Sequence, residues 1–251
     1  MRRLRDLLTR RSRARYLLWR AARAASALEV DFQRGGSVVL RPPPTADLAL
    51  AYEIFIGGAY EIPSGFPDFD PGLIVDVGAN VGFAVVWFAR RFPRSRLLAF
   101  EPHPAHLASL YRTVVLNELA ARTAIVGAAA GARDGEAFLL EQNDESRVVA
   151  APTTNSMPIR VRDFFAELGN VKVGLLKLDI EGGEYELLSD PRFAQLLPDN
   201  IVLEWHATEA VPNGKSWCSR RLGELGYRVV DGALQYERAG VMWAFRERAS
   251  Q

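Results

Sequence analysis

A chain of 251 residues, 49% of them apolar, has room for one large α/β domain and an N-terminal appendage. No run approaches the ~20 apolar residues needed to span a bilayer, and the single cysteine, Cys218, excludes an internal disulfide and a cysteine-based zinc site. Net charge is only +1, yet residues 1–23 carry nine arginines against one acid, Asp6, which leaves the rest of the chain at −7 and argues against nucleic acid as a partner.

In the arginine-rich start, Leu4, Leu7, Leu8, Leu18, Ala22 and Ala25 recur at roughly helical spacing, so residues 1–28 read as one amphipathic basic helix. Such a helix can lie on an anionic membrane surface, bind a partner or pack against the domain. No continuous apolar core follows the basic start, which argues against a secretory signal, and one unpaired cysteine suits a reducing compartment. A cytoplasmic location is expected, with peripheral membrane contact as an option for the helix.

Residues 29–71 form a lead-in. Leu28 to Phe32 and Val38 to Leu40 read as a strand pair around the Gly35-Gly36 turn, and Asp47 to Phe55 as a helix closed by Gly57-Gly58. Ala59 to Pro71, rich in glycine, proline and aromatics, reads either as a lid or as a loop packing Tyr60, Phe66 and Phe69 onto the domain.

From residue 72 onward the pattern alternates strand and helix. Leu73 to Val77 is an apolar run broken only by Asp76, the mark of a strand buried on both faces of a parallel sheet. A glycine-rich turn, Gly78-Ala79-Asn80-Val81-Gly82, leads into a helix over Phe83 to Phe92. Asn80 and Phe83 stand where a dinucleotide fingerprint has its second and third glycines, which argues against a nicotinamide cofactor.

Arg96 to Phe100 gives the next strand, ending at Glu101, where an acid can accept ribose hydroxyls, and Ala105 to Leu119 the next helix. Thr123 to Ala129 and Ala137 to Glu141 read as strands, Gln142 to Met157 as a polar surface loop or acceptor-binding insertion, and Val161 to Leu168 as a short helix. Val173 to Leu178 is a strongly apolar strand carrying Lys177 and running into Asp179-Ile180-Glu181-Gly182-Gly183-Glu184. Here Glu181 and Glu184 read as carboxylates favoured by a helix N-terminus.

In a doubly wound sheet the first and fourth strands adjoin at the switch point, which sets Asp179 against the glycine loop. Ile201 to Leu203 is a fifth strand ending in Glu204-Trp205-His206. Ser216 to Leu225 follows as a helix and Tyr227 to Val230 as a strand, with an antiparallel pair at the C-terminal edge of the sheet.

Three blocks in this order, Asp76 to Gly82, Phe100-Glu101-Pro102 and Leu176 to Glu184, resemble the FkbM-type methyltransferases. Arg41-Pro42, Asp47, Gly58-Ala59-Tyr60 and Leu203 to His206 resemble the same family, and Gly183 departs from it where alanine is commoner. The resemblance implies a Rossmann-like class I methyltransferase fold over residues 72–251, with a doubly wound, mostly parallel sheet. It also implies methyl transfer from S-adenosylmethionine, usually to a hydroxyl of a sugar, glycan or secondary metabolite.

By the same resemblance Gly78, Ala79, Asn80 and Gly82 hold the amino-acid end of the cofactor, Asp76 supports the loop, Glu101 holds the ribose, and Pro102 and His103 border the adenine. Deprotonating an aliphatic hydroxyl calls for a base, and Asp179, Glu204 and His206 are the candidates, with His206 favoured and Glu204 orienting it. The same three groups suit a divalent ion, which is the less favoured option. The alternative is a protein that binds the cofactor, a membrane surface or a partner without turnover.

Overall fold

The structure is a computed structural model that describes residues 2–142 and 145–246. Its N-terminal segment is two helices, α1 (Arg2–Leu7) and α2 (Arg10–Ala21), where one was expected. The Leu7 carbonyl accepts from the Gln33 amide and the Thr9 amide donates to the Asp31 carbonyl. Those backbone groups are committed to a neighbouring strand, so the helix breaks between them, and the Thr9 hydroxyl caps α2 by accepting from the Ser12 amide.

Leu7, Leu8, Tyr16 and Trp19 are buried, whereas Leu18, expected on the inward face, is 72% exposed. Tyr16 and Trp19, with ring centroids 5.8 Å apart, cover more apolar area than leucine and take the inward face.

Strands β1 (Leu28–Asp31) and β2 (Ser37–Leu40) form an antiparallel hairpin, and α3 (Asp47–Phe55) follows it. In the loop after α3, Phe66 meets Trp243 and Phe245, and Phe69 meets Phe92. Tyr60 is buried and stacks on Phe88. The stretch is therefore packed onto the domain at each of these aromatics.

The main unit begins with β3 (Leu73–Val77), α4 (Phe83–Arg91), β4 (Arg96–Phe100), α5 (Pro104–Leu116) and β5 (Thr123–Val126). Strands β6 (Ala129–Gly131), β7 (Gly135–Gln142), β8 (Glu145–Val149) and β9 (Ser156–Asp163) then build a separate four-stranded sheet in the order β6-β9-β7-β8. Within Gln142 to Met157, expected as a polar surface loop or acceptor-binding insertion, β8 pairs with β7 as a hairpin and β9 begins at Ser156, while residues 143 and 144 lie outside the described residues. The expected helix over Val161 to Leu168 is split. Its first residues end β9, and α6 (Phe164–Leu168) starts only after the N-cap Asp163, whose carboxylate accepts from the Phe165 and Ala166 amides.

The chain then continues through β10 (Leu175–Leu178), α7 (Glu184–Ser189), α8 (Phe193–Leu196), β11 (Asn200–His206), α9 (Gly214–Glu224), β12 (Tyr227–Gln235) and β13 (Ala239–Arg246). The central sheet has the order β12-β13-β11-β10-β3-β4-β5. Strands β5, β4, β3, β10 and β11 are mutually parallel, and β13 lies antiparallel between β11 and β12, giving the expected edge pair.

Side chains alternate across the sheet. Val75, Val77, Leu176 and Leu178 enter one apolar core, while Ile74 and Leu175 enter the other together with Leu7, Leu8, Tyr16 and Trp19. That alternation places Asp76 and Lys177, register partners, on the same face. The lead-in hairpin docks on α5 through side chains: the Ser37 amide donates to Asn117 Oδ1 at 2.9 Å and the Val39 amide to Thr113 Oγ1 at 3.2 Å.

Candidate active site

Strands β3 and β10 are neighbours, so the turns leaving their carboxyl ends face one another. The glycine loop lies on that edge. The amides of Gly78 and Ala79 both donate to the Phe100 carbonyl, at 3.1 and 2.9 Å, which ties the loop to β4. Asn80 at φ 51° and Gly82 at φ 94° make the left-handed bends that bring the chain from strand to helix, and Gly82 is the N-cap of α4.

Glu101 is 5% exposed and braces this loop from β4. Its Oε2 accepts from the Asn80 amide and its Oε1 from the His103 amide, both at 2.8 Å. His106 Nδ1 stands 3.4 Å from Oε1, and the other ring nitrogen of His106 meets the Arg41 guanidinium. Arg41 donates from Nε to Asp47 Oδ1 at 2.9 Å, and Asp47 is itself buried. Because Arg41 can only donate, His106 Nε2 accepts and Nδ1 carries the hydrogen aimed at Glu101.

The lead-in is thus wired to the loop through Asp47, Arg41, His106 and Glu101. Sequence reasoning missed His106. Its signal was the i, i+3 spacing from His103 on the first turn of α5. His103, expected beside the adenine, caps α5 by accepting from the Ala105 amide at Nδ1 and stacks on His106 at 4.1 Å.

On the β10 side, Lys177 is 2% exposed. Its Nζ donates to the Gly78 carbonyl at 2.7 Å and stands 3.0 Å from Asp76 and 3.4 Å from Asp179. Burial works against the ammonium, but Asp76, Tyr60 and Asp179 together outweigh it and hold its pKa above the ordinary lysine value. Burial also raises the Asp76 carboxyl, with Lys177 opposing, and raises the Tyr60 phenol, whose neighbours include Lys177, Asp179 and Glu204. Tyr60 therefore brings a phenol from the lead-in to the same group of charges, a placement that loop composition alone did not reveal.

Beyond Asp179 four groups converge. His206 Nδ1 is 3.2 Å from Glu184 Oε1, which also accepts from the His206 amide at 3.1 Å, while Glu184 Oε2 accepts from the Gly182 amide at 2.9 Å. The fully buried Glu184 is therefore the group that orients His206, in place of the Glu204 expected from sequence. On the other ring edge, His206 Nε2 is 3.4 Å from Glu181 and 4.0 Å from Glu204.

Burial alone would lower the imidazole pKa, but the Glu184 hydrogen bond and the Glu181 and Asp179 charges raise it to about 10. Burial first, and then the Asp179 charge, push Glu204 up to about 8. One ligand atom from each of Asp179, Glu181 and His206 lies within 4.8 Å of the others, close enough to share a divalent ion. A protonated His206 would account for the same approach.

Asp179 and Glu181 also line a cleft of about 780 Å³. Gly78, Asn80, Glu101, Pro102 and His106 line it as well, together with Arg147 and Val148 of β8. The small sheet that replaced the expected loop is therefore part of the cleft.

The profile described as the methyltransferase FkbM domain matches residues 76–229. Methyltransferase 1 of Beauveria bassiana is 32% identical over 192 residues, 64% of this chain and 75% of that protein. Methyltransferase sdnD of Sordaria araneosa is 39% identical over 66 residues, 26% of this chain and 24% of its own. The solved structure of methyltransferase FkbM from Methylobacillus flagellatus superposes with a TM-score of 0.52 at 17% identity, over 80% of this chain, which spans about half (53%) of that one. Sequence motif, fold and relatives agree: this chain belongs to the FkbM family of S-adenosylmethionine-dependent methyltransferases.

Proposed function

We propose that the protein transfers a methyl group from S-adenosylmethionine to a hydroxyl oxygen of a sugar, glycan or secondary metabolite. One observation carries this reading. Asp179 touches the glycine loop through Lys177 and lines the cleft with Glu181, and His206 and Glu204 stand behind these two, so a cofactor loop and a proton-accepting cluster meet at a single residue.

The cleft rim fits such a cofactor. Asn80 Oδ1 is buried without a hydrogen-bond partner among the described residues, and Glu101, with two amides and His106 already on it, keeps about one of a carboxylate's roughly four acceptor positions. These are acceptors, matched to a ligand that presents ribose hydroxyls and an ammonium group. Glu101 thus has room for about one ribose hydroxyl where two were expected. When bound, the cofactor supplies an electrophilic methyl on a sulfonium. The chain's own part is to hold the acceptor oxygen in line and remove its proton.

Glu204 is taken as the base in this reading: it stands 4.0 Å from His206 Nε2 next to the Asp179 and Glu181 carboxylates, and burial and the Asp179 charge push it up to about 8, near the pH at which a base is most effective. His206, charged and locked by Glu184, offsets the surplus of carboxylates. Asp179, fixed by Lys177, positions the acceptor.

The test is calorimetry with S-adenosylmethionine and its demethylated product, followed by mass spectrometry of hydroxylated acceptors incubated with the enzyme. Absence of binding would end the methyltransferase reading for this chain. Binding with a methylated nitrogen or carbon as product would end the hydroxyl assignment alone.

A further inference from the structure

Helix α2 has two apolar faces, and only one is used by the fold. Ser12, Tyr16 and Trp19 turn inward: Ser12 Oγ bonds with Asp31, and the Trp19 indole donates to the Ser26 carbonyl at 2.6 Å. With about 100° of rotation per residue, the side diametrically opposite is made of Ala14, Leu17, Leu18 and Ala21. Leu17 is 45% exposed and Leu18 72%.

Arginines flank that stripe on both sides, Arg13 and Arg20 along one edge and Arg11 and Arg15 along the other, with Arg10 at its start. Between residues 10 and 23 there are six arginines and no acid. Among the described residues none of these six forms an ion pair, and Arg20 reaches only the Tyr16 hydroxyl. The body beneath is acidic overall, yet it leaves this charge unneutralised.

We propose that the outer face of α2 docks on an anionic lipid bilayer, lying in the plane of the surface. The chemistry is specific to that occupant. An outward apolar stripe can enter the acyl boundary only if its flanking cations can reach up to headgroup phosphates, and long arginine stems on both edges do this. A purely polyanionic partner such as a nucleic acid would use the arginines and leave Leu17 and Leu18 in water. The apolar stripe is short, so attachment depends on the anionic headgroups and is reversible and salt-sensitive. The helix is held rigidly enough to carry the whole enzyme, because Tyr16 and Trp19 belong to the same core as Val30, Phe32 and Ile74.

The experiment is co-sedimentation of the full chain with phosphatidylglycerol-containing and pure phosphatidylcholine vesicles, at low salt and at roughly half-molar salt. Wild type is expected to sediment with the anionic vesicles at low salt only. The variant Leu17→Ser/Leu18→Ser, which removes the stripe and no charge, and the variant Arg11→Gln/Arg15→Gln, which removes charge and no stripe, are each expected to weaken binding at least tenfold. Both alter exposed positions and leave the melting temperature unchanged. Failure to bind anionic vesicles, or binding that survives the leucine variant, overturns the proposal. So does tighter binding to a duplex DNA of matched charge that is indifferent to the two leucines.

Discussion

A side chain at Gly78 would collide with Asp179: a Cβ built there lies 1.9 Å from the Asp179 carbonyl oxygen. The first and fourth strands of the sequence pattern thus approach so closely at their carboxyl ends that only glycine separates them. Gly78→Ala is expected to lose folded stability and cofactor binding together, through strain at φ 86° and forced separation of β3 from β10. Gly65 isolates the two causes, because it has φ 79° with nothing within 4 Å of the same built atom. Gly65→Ala should cost only the roughly 1–3 kcal/mol of an unfavourable backbone region. Thermal melts that rank the two variants equally would show that the contact with Asp179 is not what constrains residue 78.

Glu101 braces the glycine loop and, in the proposed function, also receives the cofactor. Truncation to alanine orphans the Asn80 and His103 amides and removes an acceptor from the cleft. Cofactor affinity should fall by about 1.5–3 kcal/mol, the range for hydrogen bonds to a charged group, and stability by about 1–3 kcal/mol for the buried amides. Glu101→Gln keeps one acceptor oxygen and should recover stability more than affinity. Calorimetry alongside denaturant melts separates the effects, and equal recovery of both would remove the binding role.

If Glu204 is the base, it sets the pH dependence. A carboxyl raised to about 8 is protonated below that pH and able to accept a proton above it, so turnover should climb through about pH 8 and level off. His206 in the same role would move the climb towards 10. Glu204→Gln should lower kcat by about 10²-fold or more with cofactor affinity intact. A chelator that abolished turnover would reassign Asp179, Glu181 and His206 to a cation.

How far these relationships were legible in sequence depends on where each signal came from. Strands β3 and β4 and helix α3 fall where the apolar pattern and terminal signals place them, because buried parallel strands leave near-continuous apolar runs. The hairpin of β7 and β8 was hidden, since β8 is short and polar, and its pairing is a tertiary fact. Leu18 misled because periodicity counts leucines, while Tyr16 and Trp19 bury more area and decide which way the helix faces. Glu184 read as a carboxylate at a helix start. It is in fact fully buried under His206, a contact between α7 and β11 that spacing along the chain does not encode.

Arg192 predicts an acid-sensitive brace. It stands 2.8 Å from both Asp163 and Asp190 and joins β9 to the segment after α7. Burial alone would raise the Asp163 carboxyl, but the Arg192 hydrogen bond and the capped α6 amides hold it below the ordinary value. The hydrogen bond from Arg192 does the same for Asp190. A depressed folded-state pKa adds stability above the unfolded value and loses it as pH falls through the folded one. The melting-temperature gap between wild type and Arg192→Ala should therefore be wide at neutral pH and close as pH drops below about 4, the ordinary aspartate range. A gap independent of pH would mean that Arg192 acts through its packing on the Phe165 ring, 4.5 Å away.

Lys177 is the charge on which the site's geometry rests. Replacing it by methionine keeps the stem in the core but leaves Asp76, fully buried, and Asp179 without their cation. Breaking one partner of a buried pair costs about 3–5 kcal/mol, since an uncompensated charge stays in a low dielectric. Burial already raises the Asp76 carboxyl against the opposition of Lys177, so in the variant Asp76 should take up a proton more readily still, which offsets part of that cost. Lys177→Met should then be more stable in mild acid than at higher pH. The double variant Asp76→Asn/Lys177→Met, which has no charge left to bury at that pair, should recover most of the stability. It should not recover cofactor binding, because the Gly78 carbonyl and Asp179 still lack the ammonium that fixes them. A double variant that restored both would show that Lys177 serves only to neutralise Asp76.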